Sequence, residues 1–395
     1  MKILVFAHRL EVGGTQYNAI ELAARLRDAH GFDPVLFATP GPMVDMVTEK
    51  RLRFVAAPDA RFHPSRRRMS VLRRLVSEEK PDLIHAWDWW QCLEVFYGVH
   101  IPQRLPLIVT DMMMKLTRIL PRSLPTTFGT PEVVDTAVKA GYKCAHLLVP
   151  PVDIDLNSPG TVDCAEFRES NDIDSRCVTI VTVSRLSRYL KGESLLRTIQ
   201  AVGKISGDVP VKLLIVGAGE AREELQRWAT EINDEAGRTV VALTGEARDP
   251  RAAYEAADIV VGMGGSALRG AAFGKPVVVV GENGFCDVLT PETAVKFYYH
   301  GIYGHGDGDP DNHRLTLLLR DLSVDPRARD ELGCFARDFV AERFAVDKVA
   351  AQLAEYCRDA VAHRRGPDMV EALRTTWIYL RERRFLTPSR DRFVT

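Results

Sequence analysis

Arg185 and Lys191 stand together after an apolar, β-branched run, Val178 to Val183, in the segment VTVSRLSRYLKG that closes on Gly192. Arg presents a fork of N–H donors and Lys a compact point charge, so the pair suits an anion with several oxygens. The chemistry predicted is that of a doubly charged leaving group such as a nucleoside diphosphate. The two cations would stabilise its growing negative charge as a bond to it breaks. Two further strand exits are rich in glycine. Val211 to Val216 runs into Gly217-Ala218-Gly219-Glu220, and Ile259 to Gly262 runs into Gly264-Gly265-Ser266 ahead of a helix over 267–273. At the latter exit, N–H groups at a helix start, with Ser266 as N-cap, form an anion nest. Taken singly, each segment also fits solvated loop charges or a tight turn. Three such exits in one domain point to a nucleotide site.

The glycine run at 217–222 is an incomplete dinucleotide fingerprint, because Arg222 holds the third glycine position and no acidic residue ends the following strand. A nicotinamide cofactor is therefore not expected. Thr244 follows the strand 240–243. In the first half, Gly13-Gly14 precedes a helix and serves either as a tight turn or as a close backbone approach to phosphate. His8, His85 and Asp88 end strands there, as contacts for an acceptor or sugar or as structural hydrogen-bonders. His300, His305, Asp307, Asp309 and His313 fit no metal-ligand spacing, so no metal is expected.

These residues must be positioned by a substantial framework. The 395-residue chain is long enough for two domains, and 46% hydrophobic content allows real cores. A formal charge of −1 argues against a nucleic-acid partner. Seven cysteines without C-x-x-C spacing suit free thiols in a reducing cytoplasm. The opening MKILVFAHRL is too short an apolar run for a signal peptide and reads as a buried strand. Apolar runs alternate with amphipathic stretches: strands at 3–7, 34–38, 54–57, 83–86, 107–110 and 147–149, helices at 15–27, 71–79 and 131–140. After the polar segment 153–176 the alternation resumes at Val178 and runs to about Val280. From Arg314 the chain is mostly helical, and 301–311 reads as an irregular loop. The pattern predicts two α/β domains with parallel sheets, over 1–155 and 170–366, with a ligand cleft at the carboxyl ends of the strands.

In this order and spacing the segments resemble the GT-B glycosyltransferases, specifically the large retaining family-four-type group of bacterial mannosyl- and glucosyltransferases. The resemblance covers nearly the whole chain. Gly13-Gly14 is similar to that group's amino-terminal glycine loop, and PDLIHA at 81–86 to its PDxxHxH strand, with Trp87 where the second His often stands. Pro150-Pro151-Val152-Asp153 sits where NGVD closes the first domain. Arg185 and Lys191 match the diphosphate-binding pair at a spacing one residue shorter than usual. Val216 to Gly219 matches VGxG, and Ala272 to Val278 matches AxGxPVV. The chain departs from the group in two places. The two glutamates usual before the last turn are replaced by Val261 and Arg269, and Thr110-Asp111-Met112 stands where many relatives place a His after the strand. Glu accepts from hydroxyls; Val does neither and Arg only donates.

The resemblance implies two Rossmann-like domains facing a central cleft, with a final helix (about 367–395) packing back on the first. It implies transfer of a hexosyl group from a nucleoside-diphosphate sugar to an acceptor hydroxyl, with retention, without a bound cofactor or metal. The acceptor would be a glycan, a glycolipid or a small molecule giving a natural-product glycoside. Arg185, Lys191 and His85 would be catalytic. Gly14, Gly217, Gly219, Thr244, Gly264, Gly265, Ser266 and Arg269 would hold the donor, and His8 and Asp88 would face the acceptor. A catalytically degenerate binding protein, or an epimerase or phosphorylase on the same fold, are the other classes the altered glutamate positions leave open. Arg66-Arg67-Arg68 with Arg73-Arg74 fits an exposed helix face or attraction to anionic lipid at the inner membrane face. The basic, aromatic segment 377–385 fits packing on the first domain, with membrane contact second.

Overall fold

The computed structural model describes residues 1–189, 191–364, 366 and 368–386, with 383–386 described without their side chains. The chain divides into two units: Met1–Pro151 with a return segment from Phe344, and Val152–Arg343.

In the first unit, seven strands form one sheet: β1 Lys2–Phe6, β2 Asp33–Ala38, β3 Arg53–Ala56, β4 Leu83–Trp87, β5 Leu107–Asp111, β6 Thr126–Phe128 and β7 Ala145–Leu147. Their order is β3-β2-β1-β4-β5-β6-β7, and every pair is parallel. Runs such as ILVF in β1 and LIHAW in β4 are buried on both faces, as helices covering both sides of a parallel sheet require. β1 pairs with β2 on one side and β4 on the other, so the chain reverses winding between β1 and β4. The residues that follow these two strands therefore lie at the topological switch point, where such sheets open a crevice.

The return segment carries more than the sequence pattern assigns to it. Helix Val346–Ala362, predicted to belong to the second domain, lies in the first unit. The reason is its contacts. Asp347 pairs with Arg25 of the helix Gly14–His30 at 2.6 Å, and the Tyr356 ring stacks on His146 at 4.5 Å. Helix Met369–Leu386 packs on the same unit, whereas the rest of the expected final helix and basic tail, 387–395, lies outside the described residues.

The helix expected at 71–79 starts at Arg66, because the Ser65 hydroxyl caps it by accepting the Arg68 N–H at 3.4 Å. Arg68 also turns inward and donates to the Pro58 carbonyl at 2.8 Å, so only its neighbours in the basic run are exposed.

In the second unit, β8 Val178–Val183, β9 Val211–Val216, β10 Val241–Gly245, β11 Ile259–Gly262, β12 Val277–Val280 and β13 Cys286–Val288 are ordered β10-β9-β8-β11-β12-β13. All pairs are parallel except β12 with β13. The switch point falls between β8 and β11, at the basic exit and the Gly-Gly-Ser exit.

Candidate functional site

The loop bearing Arg185 is fastened along the exit of β9. Ser184 donates its N–H to Val216 O at 3.0 Å, Leu186 to Ala218 O at 2.8 Å, and Ala221 returns a bond to Leu186 O at 2.9 Å. This close zipper explains Gly217 and Gly219. Both have positive φ, 149° and 154°, and a Cβ on them would stand 1.9 Å from Ser184 O and 2.3 Å from Leu186 O. Their part is thus to seat the Arg185 loop. The guanidinium itself is exposed, and Glu220, which accepts the Arg188 N–H at 2.8 Å, lies within its electrostatic reach.

Lys191 opens the helix Gly192–Ile205. Burial first, and the neighbouring charge of Arg185 second, push its ammonium down to about 8. Neither Lys191 nor Arg185 has a carboxylate ion-pair partner among the described residues. Around Lys191, the ends of β8, β11 and β12 leave a hollow lined by Thr182, Ser184, Gly262, Ser266 and Val280.

The helix Gly265–Ala272 aims its amino terminus at this hollow. Its N-cap is Gly264, with φ 55°, and no side chain caps it. Ser266, expected as the cap, sits one residue inside the helix and donates its hydroxyl to Met263 O at 3.1 Å. An uncapped helix start beside Lys191, with Arg185 within electrostatic reach and neither cation paired to a carboxylate among the described residues, suits an anion by backbone dipoles and by charge. Thr244 lies at the end of β10, beyond β9 in the same sheet, with Gly245 accepting the Gly217 N–H at 2.7 Å.

Val261 is buried in the core of β11, so nothing at that position reaches a ligand. Arg269 lies one turn into the helix, with Nη1 3.3 Å from Gly265 O. A carboxylate does stand at the next strand exit, outside the segments the sequence motifs single out. Glu282 follows β12 and accepts from the Tyr303 hydroxyl. Two staples hold it beside the receptor. Glu193, in the first turn after Lys191, accepts the N–H groups of Asn283 and Gly284, each at 2.9 Å, and Gly264 donates to Ile302 O at 2.6 Å. The segment 301–311 is thus packed against the site. Within it, Asp309 accepts from the backbone of His313 and Arg314, and no metal-type group of three or more His, Cys, Asp or Glu forms among the described residues.

In the first unit the switch point brings His8 and Asp88 together, with His8 Nε2 3.1 Å from Asp88 Oδ2. Asp88 adopts φ 73°, rare for a residue with a Cβ, and its carboxylate accepts the Trp89 N–H at the start of its helix. Asp111, at the end of β5, is fully buried with Oδ2 lacking a donor. Burial, then the charge of Asp88, push its carboxyl up to about 7. His85 does not join this group. It is buried within β4, its Nε2 2.7 Å from Thr110 Oγ1, and burial pushes it down to about 3, so it is neutral. That geometry suits a structural hydrogen-bonder. Gly14 starts the first long helix with open space where a Cβ would point.

Two doubly wound units of this order make the GT-B fold, and solved structures agree. HepE of Anabaena, solved with UDP-glucose, superposes with a TM-score of 0.71 at 17% identity, over 90% of this chain and 98% of its own. A glycosyltransferase from Rickettsia africae gives 0.69 at 15%, over 91% and 98%. WaaG, a glycosyltransferase involved in lipopolysaccharide biosynthesis, gives 0.60 at 16%, over 90% and 99%. At such identities the likeness is one of fold. A search of curated proteins finds no significant sequence match. The families come from sequence: Glycosyltransferase Family 4 matches residues 12–111, and the group 1 glycosyl transferases match 177–300. With one match in each unit, the chain is a GT-B glycosyltransferase of the family-four type.

Proposed function

We propose that the protein transfers a hexosyl group from a nucleoside-diphosphate sugar to an acceptor hydroxyl. One observation carries this: Arg185 and Lys191, without a carboxylate partner among the described residues, stand at the switch point of the second unit, where a helix starts uncapped. Diphosphate oxygens would complete both features, and the UDP-glucose complex of HepE supports a donor of that class. As the glycosidic bond breaks, the two cations take up the negative charge that develops on the leaving diphosphate. Glu282, oriented by Tyr303, accepts from donor hydroxyls in place of the glutamate absent at Val261. Gly14 offers backbone to the donor, Thr244 meets the base, and His8, held by Asp88, serves the acceptor in the first unit.

The resemblance supports retention of configuration. In that course the acceptor hydroxyl gives its proton to the departing phosphate and bonds C1 on the face the phosphate leaves. Proton NMR of the product anomer tests this, and an inverted product would refute it. Thermal shift with UDP, GDP, ADP, CMP and TDP tests the donor site, with Arg185→Ala as control. A ligand at a hundred times its dissociation constant stabilises by about 2.7 kcal/mol. Stabilisation of wild type by one diphosphate, lost in the variant, is the expected result; none for any of them sinks the proposal.

A further inference from the structure

Among the described residues no helix is long and apolar enough to cross a membrane, yet the last helix carries an apolar stripe that nothing covers. Val370, Leu373, Trp377 and Leu380 recur at helical spacing and are 75%, 70%, 58% and 62% exposed. The opposite face is fully engaged. Ala372, Thr375 and Ile378 are buried, the Tyr379 hydroxyl donates to His63 O at 2.6 Å, and Arg374 holds Arg118 O and Leu120 O at 3.1 and 2.6 Å. The helix is therefore seated in one rotation, and the stripe faces out by construction.

The surroundings of the stripe are basic. Both glutamates of the helix are taken up by its own arginines, Glu371 by Arg374 at 2.9 Å and Glu382 by Arg381 at 2.6 Å. The loop whose carbonyl Arg374 holds exposes Lys115 and Arg118, with Met113 and Met114 ahead of them. Beside His63, Phe62 is 56% exposed under the Arg61 guanidinium, and Arg66 and Arg67 follow on the next helix. Lys115, Arg118, Arg66 and Arg67 have no ion-pair partner among the described residues. Trp377, with Arg381 4.4 Å over its ring, combines an apolar body with a cationic cap, a composition suited to the lipid–water boundary.

We propose that this face of the first unit docks on an anionic lipid surface, the stripe entering the headgroup boundary and the flanking cations meeting lipid phosphates. A second copy of the chain is the weaker occupant, because pairing two stripes would bring the same uncompensated cations together. The proposal does not depend on the glycosyl-transfer reading.

The test is flotation of the full chain with vesicles of phosphatidylcholine alone or mixed with phosphatidylglycerol, at low and at high salt. The expected result is at least about tenfold more bound protein on the anionic vesicles, weakened by salt. A Leu373→Glu/Trp377→Glu variant should lose that binding while melting with wild type, since both side chains are largely exposed. Absence of flotation, equal flotation on neutral vesicles, or unchanged binding by the variant each overturns the proposal. Light scattering that shows a dimer in wild type and a monomer in the variant, without vesicle binding, assigns the stripe to self-association instead. Binding that emerges only after removal of 387–395 assigns it to the chain's own end, and overturns it equally.

Discussion

The carbonyl oxygen of Ser184 occupies the space a Cβ on Gly217 would need, 1.9 Å away. The glycine at the end of β9 thus acts on the proposed diphosphate receptor indirectly, by letting the Arg185 loop lie flat on its neighbour. Gly217→Ala must either push that loop out or strain a φ of 149°. Both routes lead to a loss of about 2 kcal/mol or more in stability by urea unfolding, together with weaker nucleotide binding. Gly14→Ala is the contrast, since no atom lies within 4 Å of the added Cβ. It should keep wild-type stability, so weakened donor binding in that variant reports close backbone approach alone. A Gly217→Ala protein that unfolds at the wild-type midpoint would contradict the packing argument.

If Lys191 holds the donor's diphosphate as proposed, it ties donor binding to pH. Its ammonium titrates near 8 in the free protein because burial and Arg185 disfavour the charge. An anion in the hollow favours that charge, so binding above about pH 8 must take up a proton. Affinity for the nucleoside diphosphate should be flat below pH 8 and fall by up to about tenfold per unit above it. Lys191→Gln should bind more weakly and lose this slope. The same burial makes the folded charge costly. Between its folded value of about 8 and the ordinary lysine value of 10.5 the unfolded chain binds more protons, so this lysine's contribution makes stability rise with pH across that window. At neutral pH the cost is roughly 3 kcal/mol, and Lys191→Met should melt higher than wild type. A variant that melts lower would show that the lysine is better accommodated than its burial implies.

His85 and Asp111, on adjacent strands, push stability in opposite directions. His85 titrates near 3 folded against an ordinary histidine value of 6.5, so the unfolded chain gains its proton first, and stability is lost as pH falls through that interval. Asp111 titrates near 7 against 3.8, so the folded protein holds the extra proton, and stability falls as pH rises from about 4 to 7. Asp111→Asn removes the second slope. Its stability relative to wild type should improve between pH 5 and pH 8 in urea unfolding. A constant difference would mean that Asp111 is ionised throughout.

How much of this is legible in the chain depends on how local the cause is. β8, β9, β11 and β12 show because they are runs of four to six residues made mostly of apolar or β-branched side chains, as a strand buried on both faces needs. β6 and β13, three residues each, are too short to carry a pattern. The Arg185–Lys191 receptor is legible because its parts follow strand ends directly. Ser266 misleads because a Ser before a helix looks like a cap, while the positive φ of Gly264 starts the helix two residues earlier. The staple from Glu193 to Asn283 and Gly284 joins residues some ninety positions apart, and no local spacing encodes such a contact. Glu282 was within reach, since Gly281-Glu282-Asn283-Gly284 after the run at 277–280 is a fourth strand exit of the same kind.

That exit yields the sharpest test of how the donor is read. With Val261 sealed in the core, a sugar or ribose hydroxyl needs another acceptor, and Glu282 has one oxygen committed to Tyr303 and the other without a hydrogen-bond partner among the described residues. A carboxylate accepting from a hydroxyl is worth about 1.5–3 kcal/mol, whereas the amide of Gln keeps the shape and drops the charge. If Glu282 reads the sugar, Glu282→Gln should weaken the sugar conjugate by about tenfold or more while leaving the bare nucleoside diphosphate nearly unchanged. Equal loss for both ligands would move Glu282 to the ribose, which both ligands contain. No loss for either would leave Tyr303 as its only partner and confine the pair to holding the 301–311 segment in place. Tyr303→Phe separates the last two cases, because it frees the carboxylate without removing it and should spare ligand binding only if the pair is purely structural.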